Sequence, residues 1–284
     1  MKKILFTGGS GFMGRNLVEP LSQKYKVFAP DRWELDLRDF TKLESFICSK
    51  EIDIVIHAAI PDLLTDEEDK NGNLLKLSLV PFMNLYRLRH KFEKMIYFGS
   101  GAEFDKTKPI ISVNENDFGK SIPNDDYGFA KYIMNTLAET SDNIYNMRIF
   151  GCYGPTDAPF KLITSVIRSC LKNESVKLHQ DCFFDYMHVS DLVPILSYFI
   201  ESTPKYSSYN VCSGQRYSVL DIAKLIIKDF GFNRDVEIEK AGLNNEYTAK
   251  NHRLLNEIKD FNFLSLDEGI RRQIEFERKV FNNE

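Results

Sequence analysis

Lys3-Ile4-Leu5-Phe6-Thr7-Gly8-Gly9-Ser10-Gly11-Phe12-Met13-Gly14, followed by Arg15-Asn16-Leu17-Val18-Glu19-Pro20-Leu21, decides how the rest of the chain is read. Ile4-Leu5-Phe6 is a short buried-strand run, the glycines follow at once, and Leu17, Val18 and Leu21 recur at helical spacing. Strand, glycine turn and helix in that order form the opening of a nucleotide-binding βαβ unit. Such a turn needs glycine because backbone must come close to a pyrophosphate, and the helix start offers unpaired N–H groups and a positive dipole end. The residues fit two spacings, Gly9-x-Gly11-x-x-Gly14 and Gly8-x-x-Gly11-x-x-Gly14. A plain tight turn is the alternative, and the flanking strand and helix favour a cofactor.

The 284 residues, 43% of them hydrophobic, are enough for a substantial core. A net charge of -4 without basic runs gives no reason to expect nucleic acid. No apolar run approaches the roughly 18–20 residues of a membrane helix, and no signal-peptide pattern is present, so a cytoplasmic protein is expected. Cys48, Cys152, Cys170, Cys182 and Cys212 are widely spaced, and neither they nor the five histidines have metal-ligand spacing. No metal is assigned.

Tyr25 to Pro30 reads as a second strand with Asp31-Arg32 at its end, about twenty residues past the central glycine, where an acidic side chain binds the ribose 2′-hydroxyl of NAD. Arg32 favours the 2′-phosphate of NADP instead, so NAD(P)(H) is expected with the choice between NAD and NADP open. Leu43 to Ser49 is amphipathic, and Ile52 to Ala59 is a nearly continuous apolar strand ending in small residues. The acidic stretch 62–69 reads as a solvated loop before a helix through Leu74, Leu75, Leu77 and Leu85. Lys94 to Phe104 is a strand entering a Gly-Ser-Gly turn. Tyr127 and Lys131 stand one helical turn apart, and of the thirteen tyrosines only Tyr127 has a lysine four residues on. An ammonium so placed is expected to lower the phenol's pKa toward the working range of an acid or base.

Thr7-Gly8-x-x-Gly11-x-x-Gly14, Leu35-Asp36-Leu37-x-Asp39, His57-Ala58-Ala59, Phe98-Gly99-Ser100, Tyr127-x-x-x-Lys131 and Arg148-Ile149-Phe150-Gly151-Cys152-Tyr153-Gly154-Pro155 occur in this order. Phe184-Asp185-Tyr186-Met187-His188-Val189-Ser190-Asp191-Leu192, Tyr209 to Gly214 and Leu264 to Ile270 follow. The set resembles the extended short-chain dehydrogenases/reductases, specifically the NAD-dependent epimerase/dehydratase family of nucleotide-sugar enzymes, with Pro30 to Leu37 and Phe98 to Gly101 similar to its GDP-fucose synthase-like members.

The resemblance implies an α/β fold, a doubly wound parallel (Rossmann) sheet with a smaller C-terminal substrate-binding lobe. Residues 1–157 plus 184–211 would form the dinucleotide-binding domain and 158–183 plus 212–284 the lobe. It implies Gly8, Gly11, Phe12, Met13 and Gly14 at the pyrophosphate turn, Asp31 and Arg32 at the ribose, Asp36 and Leu37 by the adenine, and Ala58 and Ala59 by the cofactor ribose. Ser100, Tyr127 and Lys131 would be the catalytic triad, Tyr127 and Lys131 also touching the cofactor. The implied partner is a nucleotide-diphospho-sugar, and a homodimer is expected.

Departures from the family pattern narrow the chemistry. Gly101-Ala102-Glu103 stand where family dehydratases carry Thr-Asp-Glu, and Ala102 stands at the cysteine position of the 3,5-epimerising synthases, whose later histidine is missing from 156–160. Gly151 replaces a usual Asn, Phe184 a frequent Arg and Ser78 a frequent helix Asn. Asp191 has a simple helix-capping alternative and His188 a core one. The expected activity is reduction of a nucleotide-diphospho-4-keto-6-deoxy-sugar at C4. A 4-epimerase that retains NAD, and a non-catalytic dinucleotide-binding sensor, are the alternatives.

Overall fold

The computed structural model describes residues 1–61, 73–233 and 235–283, so the acidic stretch 62–69 lies outside the described residues. The described strands are β1 (Lys3–Thr7), β2 (Lys26–Phe28), β3 (Ile54–His57), β4 (Lys94–Ser100), β5 (Ile110–Val113), β6 (Ile144–Ile149), β7 (Gly151–Tyr153), β8 (Val176–Asp181), β9 (Phe183–Phe184), β10 (Tyr186–His188), β11 (Ser208–Val211), β12 (Tyr217–Ser218), β13 (Val236–Leu243) and β14 (Tyr247–Ala249). Six of them form the main sheet in the order β11-β6-β4-β3-β1-β2, and every pairing in it is parallel.

Helices cover both faces, which is why these strands read as unbroken apolar runs. Ile4 and Phe6 pack toward the helices Phe12–Ser22 and Leu192–Glu201 through Leu17, Leu21, Ile195 and Phe199. Leu5, Val55 and Met95 face the opposite way, toward Leu43, Ile47, Phe82, Leu85 and Met134 of the helices Phe40–Lys50, Leu74–Arg87 and Asp126–Glu139. Those last three helices start on side-chain caps: Asp39, Asn73 and Asp125 accept the N–H groups of Lys42, Lys76 and Gly128. The sheet order reverses between β1 and β3, leaving a crevice beyond the carboxyl ends of those strands, the position where open α/β sheets bind ligands.

A second core around Tyr153, Ile163, Ile167, Ile222, Ile226 and Ile270 lies under the helices Leu162–Leu171, Val219–Asp229 and Leu266–Asn283. Beside it stands a four-stranded sheet, β12-β9-β14-β5. Here the structure departs from a simple two-part division of the chain. β5 lies inside 1–157 and β9 reaches Phe184, yet both join the small sheet, because Ile110 N–H bonds Glu246 O at 2.8 Å and β14 pairs with both strands. No helix among the described residues is long and apolar enough to cross a membrane.

One buried ion pair ties neighbouring strands of the main sheet together. Arg148 of β6 and Glu103, in the turn after β4, are both fully buried, with Nε 2.7 Å from the carboxylate. Glu103 also accepts the N–H of Ser100 at 3.0 Å and the amide of Asn146 at 3.0 Å. Removing one member of such a pair strands the other charge without water. Glu103→Gln is therefore expected to cost about 3–5 kcal/mol of folding stability. Urea unfolding measures it, and a loss under about 1 kcal/mol would contradict the role given to the pair.

Candidate active site

At the end of β1 the chain turns through Gly8, whose φ of 77° belongs to the left-handed region that favours glycine. A side chain on Gly8 would also meet the Ala59 backbone nitrogen at 2.8 Å. Gly14 is closed to any side chain because the Gly9 carbonyl oxygen lies 2.3 Å from where its Cβ would stand. Gly11 is different. It is the N-cap of the helix Phe12–Ser22, yet its missing Cβ would touch only Gly8 O, at an ordinary 3.4 Å. Protein packing does not demand glycine there, and no side chain caps the helix. A smooth concave backbone with free N–H groups is what a pyrophosphate requires, so the cradle fits a dinucleotide. Phe12 and Met13 begin the helix and pack their side chains against the sheet's core.

Thr7 pins the other wall. Its hydroxyl lies 2.8 Å from His57 Nδ1 and accepts the Ala59 N–H at 3.4 Å, while Ala58 N–H bonds Thr7 O. Ala58 and Ala59 thus stand against Gly8 at the switch point. His57 is buried and its pKa is driven down to about 3, first by burial and then by the charge of Lys131. It is a neutral structural peg. The loop after β7 reaches the same helix start, where the Asn16 side chain donates to Pro155 O at 2.8 Å.

At the adenine end, Asp31 is exposed and one of its oxygens accepts the N–H groups of Trp33 and Glu34, each at 2.8 Å. Asp36 is held by Arg38 through two bonds, at 2.9 and 2.8 Å. Arg38 keeps that carboxyl below its usual range, with the charge of Arg32 adding to the effect. Asp31 and Arg32 are therefore both at the end of β2, and neither cofactor is excluded. Leu37 packs into the core, and its carbonyl accepts the Asn84 amide at 2.9 Å.

Ser100 ends β4, and Tyr127 and Lys131 lie in the first turns of the helix Asp126–Glu139. The three are brought together. Lys131 donates to Phe98 O at 2.7 Å, its Nζ is 5.8 Å from the centre of the Tyr127 ring, and Ser100 is near enough to the Tyr127 phenol to lower its pKa. The electrostatics differ from the sequence expectation. Burial raises the Tyr127 pKa, outweighing the lowering by Ser100. Lys131 itself is driven down to about 8 by burial, partly restored by Glu103. Desolvation has pushed both groups toward their neutral forms.

A third hydroxyl stands here that no sequence spacing announces: Tyr247 Oη is 3.4 Å from Ser100 Oγ, across 147 residues of chain. The departures noted in sequence have physical counterparts. A Cβ on Gly101 would meet Tyr247 Oη at 2.5 Å and the Phe150 ring at 2.6 Å; one on Gly151 would meet Asp185 O at 2.4 Å and the Tyr186 ring at 2.9 Å. Phe184 stacks on Tyr186 and leans on Tyr247, with ring centres 5.6 and 5.2 Å apart. Ala102 is buried and only its N–H reaches the site, donating to Ser100 Oγ at 3.1 Å. Ser78 is buried, and its hydroxyl has no hydrogen-bond partner.

Asp185, His188 and Asp191 serve the frame. Asp185 accepts the N–H groups of Ser213 and Gly214, both at 2.8 Å. Asp191 accepts Leu264 N–H at 3.1 Å instead of capping the following helix. His188 Nδ1 lies 2.8 Å from Ser190 Oγ. Burial raises both carboxyls to about 6 and lowers His188 to about 4.

The sequence model of the NAD dependent epimerase/dehydratase family matches residues 4–212. GDP-L-colitose synthase of Yersinia pseudotuberculosis is 23% identical over 313 residues, covering 99% of this chain and 100% of that protein. dTDP-D-glucose 4,6-dehydratase of Dictyostelium discoideum is 24% identical over 271 residues, covering 80% of this chain and 62% of that longer protein. Among solved structures, a GDP-L-fucose synthetase from Naegleria fowleri bound to NADP superposes with a TM-score of 0.85 at 16% identity, covering 99% of this chain and 94% of that one.

Gly11→Ala tests the cradle without disturbing the fold. Because the added methyl meets only an ordinary contact inside the protein, the melting temperature should stay within a few degrees of the parent. Affinity for NADH and NADPH should fall at least about tenfold, ~1.4 kcal/mol. Unchanged affinity by fluorescence titration would remove Gly11 from the binding surface.

Proposed function

The chain belongs to the NAD dependent epimerase/dehydratase family, and from that premise we propose that it is a nucleotide-sugar reductase that converts a nucleotide-diphospho-4-keto-6-deoxy-sugar to the C4 alcohol with NAD(P)H. The observation that carries this reading is the inventory of proton-bearing groups around Ser100. Tyr127 is a phenol that burial keeps neutral beside Ser100, Ala102 offers a methyl group, and the Glu103 carboxylate is locked inside the fold on Arg148. One proton donor is enough for reduction of a carbonyl. Dehydration, or epimerisation at C3 and C5, needs further acids and bases, and besides Tyr127 the free proton-bearing side chain at Ser100 among the described residues is the neutral phenol of Tyr247. The end-to-end match to a protein named GDP-L-colitose synthase supports the same substrate class.

Gly8, Gly11 and Gly14 would hold a nicotinamide dinucleotide, which when bound would supply hydride for C4. Tyr127 gives its proton to O4 as the carbonyl becomes an alkoxide, and Ser100 donates a hydrogen bond to the same oxygen. Lys131, anchored on Phe98 O, would hold the cofactor ribose and lend positive charge where the phenolate develops. Arg32 and Asp31 sit where the 2′ position of the adenosine ribose is read, and both cofactors remain candidates.

The decisive experiment supplies C4-deuterated NADH or NADPH with nucleotide-diphospho-4-keto-6-deoxy-sugars and follows the product by NMR. Label is expected at C4. A parallel reaction in deuterated water should place no enzyme-dependent deuterium at C3 or C5. Deuterium there would overturn the reductase-only reading, and turnover with retained NAD and no net consumption of reduced cofactor would identify a 4-epimerase instead.

A second expectation comes from Lys131. With a free-enzyme pKa of about 8, its ammonium is present below that pH and lost above it, whereas Tyr127, raised above its ordinary value, stays protonated across the same range. The kcat/KM for NADPH should fall as pH rises through about 8, and Lys131→Arg should move this limb to higher pH. A limb that stays in place in the arginine variant would assign it to another group.

A further inference from the structure

The Tyr247 hydroxyl makes one side-chain hydrogen bond among the described residues, to Ser100 Oγ at 3.4 Å. Its ring is fixed against Phe150 and Phe184, with centres 5.0 and 5.2 Å away. It sits over Gly101, where a Cβ would lie 2.5 Å from the hydroxyl and 2.7 Å from Cζ. The glycine after Ser100 is what admits it. A serine hydroxyl has one proton and two lone pairs, and one lone pair of Ser100 already receives the Ala102 N–H at 3.1 Å.

We propose that Tyr247 is a positioning residue that makes Ser100 an obligate hydrogen-bond donor: its hydroxyl donates to the second lone pair of Ser100 Oγ, so the serine proton can only be given onward. A phenol is a far better donor than an aliphatic alcohol, which sets the direction of the Tyr247–Ser100 bond. Its present length exceeds the usual 2.7–2.8 Å of an O–H···O bond, and catalytic hydrogen bonds of this kind tighten when ligand is bound. A ketone oxygen can accept but not donate. A Ser100 that can only donate is therefore matched to a carbonyl substrate, and it equally steadies the phenolate of Tyr127 after the proton has left. This inference rests on the roles given to Ser100 and Tyr127 under the proposed function and extends them to a third residue.

The test compares the parent with Tyr247→Phe, Ser100→Ala and the double variant, each with bound cofactor. Tyr247→Phe keeps the ring that fills the space over Gly101, so the melting temperature controls for folding. With the nucleotide-diphospho-4-keto-6-deoxy-sugar that the parent reduces fastest, kcat should fall about tenfold, the worth of one hydrogen bond. The KM for that sugar and the affinity for NADPH should stay within about twofold. Adding Tyr247→Phe to Ser100→Ala should cost nothing more. An unchanged kcat, or a further tenfold loss in the double variant, would overturn the proposal, the second because Tyr247 would then act without Ser100.

A substrate-free measurement separates this inference from the reductase reading. In the NADP⁺ complex labelled with [¹³Cζ]tyrosine, the Tyr127 resonance is titrated by NMR. Lys131, Lys106, Glu103 and Asp125, the charged groups around that ring, are the same in all four proteins. Tyr247→Phe and Ser100→Ala should each shift the titration upward, and the double variant no further than Ser100→Ala. No shift in Tyr247→Phe would overturn the proposal even if every 4-keto sugar were reduced. The predicted shifts would sustain it even if none were.

Discussion

The structure depends on one buried carboxylate. Glu103 has lost all contact with water, which costs several kcal/mol for a charged group. It is compensated by the Arg148 guanidinium, the Asn146 amide and the Ser100 backbone N–H. Arg148 in turn reaches Asn210 of β11 at 3.1 Å and lies over the Phe104 ring at 4.7 Å. The strands β4, β6 and β11, neighbours in the sheet, are thereby tied together at their carboxyl ends. Ser100 hangs from the same carboxylate by its own backbone. Apolar residues of equal volume would stabilise such a core at least as well, but they would leave the turn after β4 without a fixed direction. Gly99 belongs to this arrangement, because a Cβ there would stand 2.0 Å from the Asn146 oxygen and 2.4 Å from Glu103.

What the sequence reveals and what it hides divide along the range of the interactions. The glycine turn, the parallel strands and the helix carrying Tyr127 and Lys131 are local: a few neighbouring residues carry the hydrophobic period, the caps and the close approaches. The meeting of Ser100 with Tyr247, or of Glu103 with Arg148, joins residues far apart in the chain whose proximity only the assembled sheets create. Gly101 and Gly151 were visible as departures from a pattern, but the rings that occupy their missing side chains were not. The strand β5 was hidden for the same reason, since its partner β14 comes from the far end of the chain.

Charge was the least legible property. A lysine four residues after a tyrosine suggests a phenol made more acidic, and in solution that is what proximity would do. In this fold Lys131 is buried and Tyr127 half-buried, and desolvation acts on each in the direction of neutrality: up for Tyr127, down for Lys131. Spacing fixes which side chains meet. It carries no information about how much water is left around them, and that quantity decides which term wins.

In the proposed reductase, the same desolvation sets which protonation state of Tyr127 rests in the site. A phenol that burial keeps protonated is ready to give a proton, which is the demand of carbonyl reduction. In the proposed reaction, running backward requires a phenolate in the same half-buried setting, where a charged Lys131 and a donating Ser100 would stabilise it. In the mechanism proposed above, the hydroxyl of Tyr247 behind Ser100, the lysine anchored on Phe98 O and the serine hung from Glu103 act on one quantity, the stability of negative charge at the Tyr127 oxygen. Burial raises the cost of that charge, and the surrounding donors lower it, for the same phenolate in either direction of the proposed reaction.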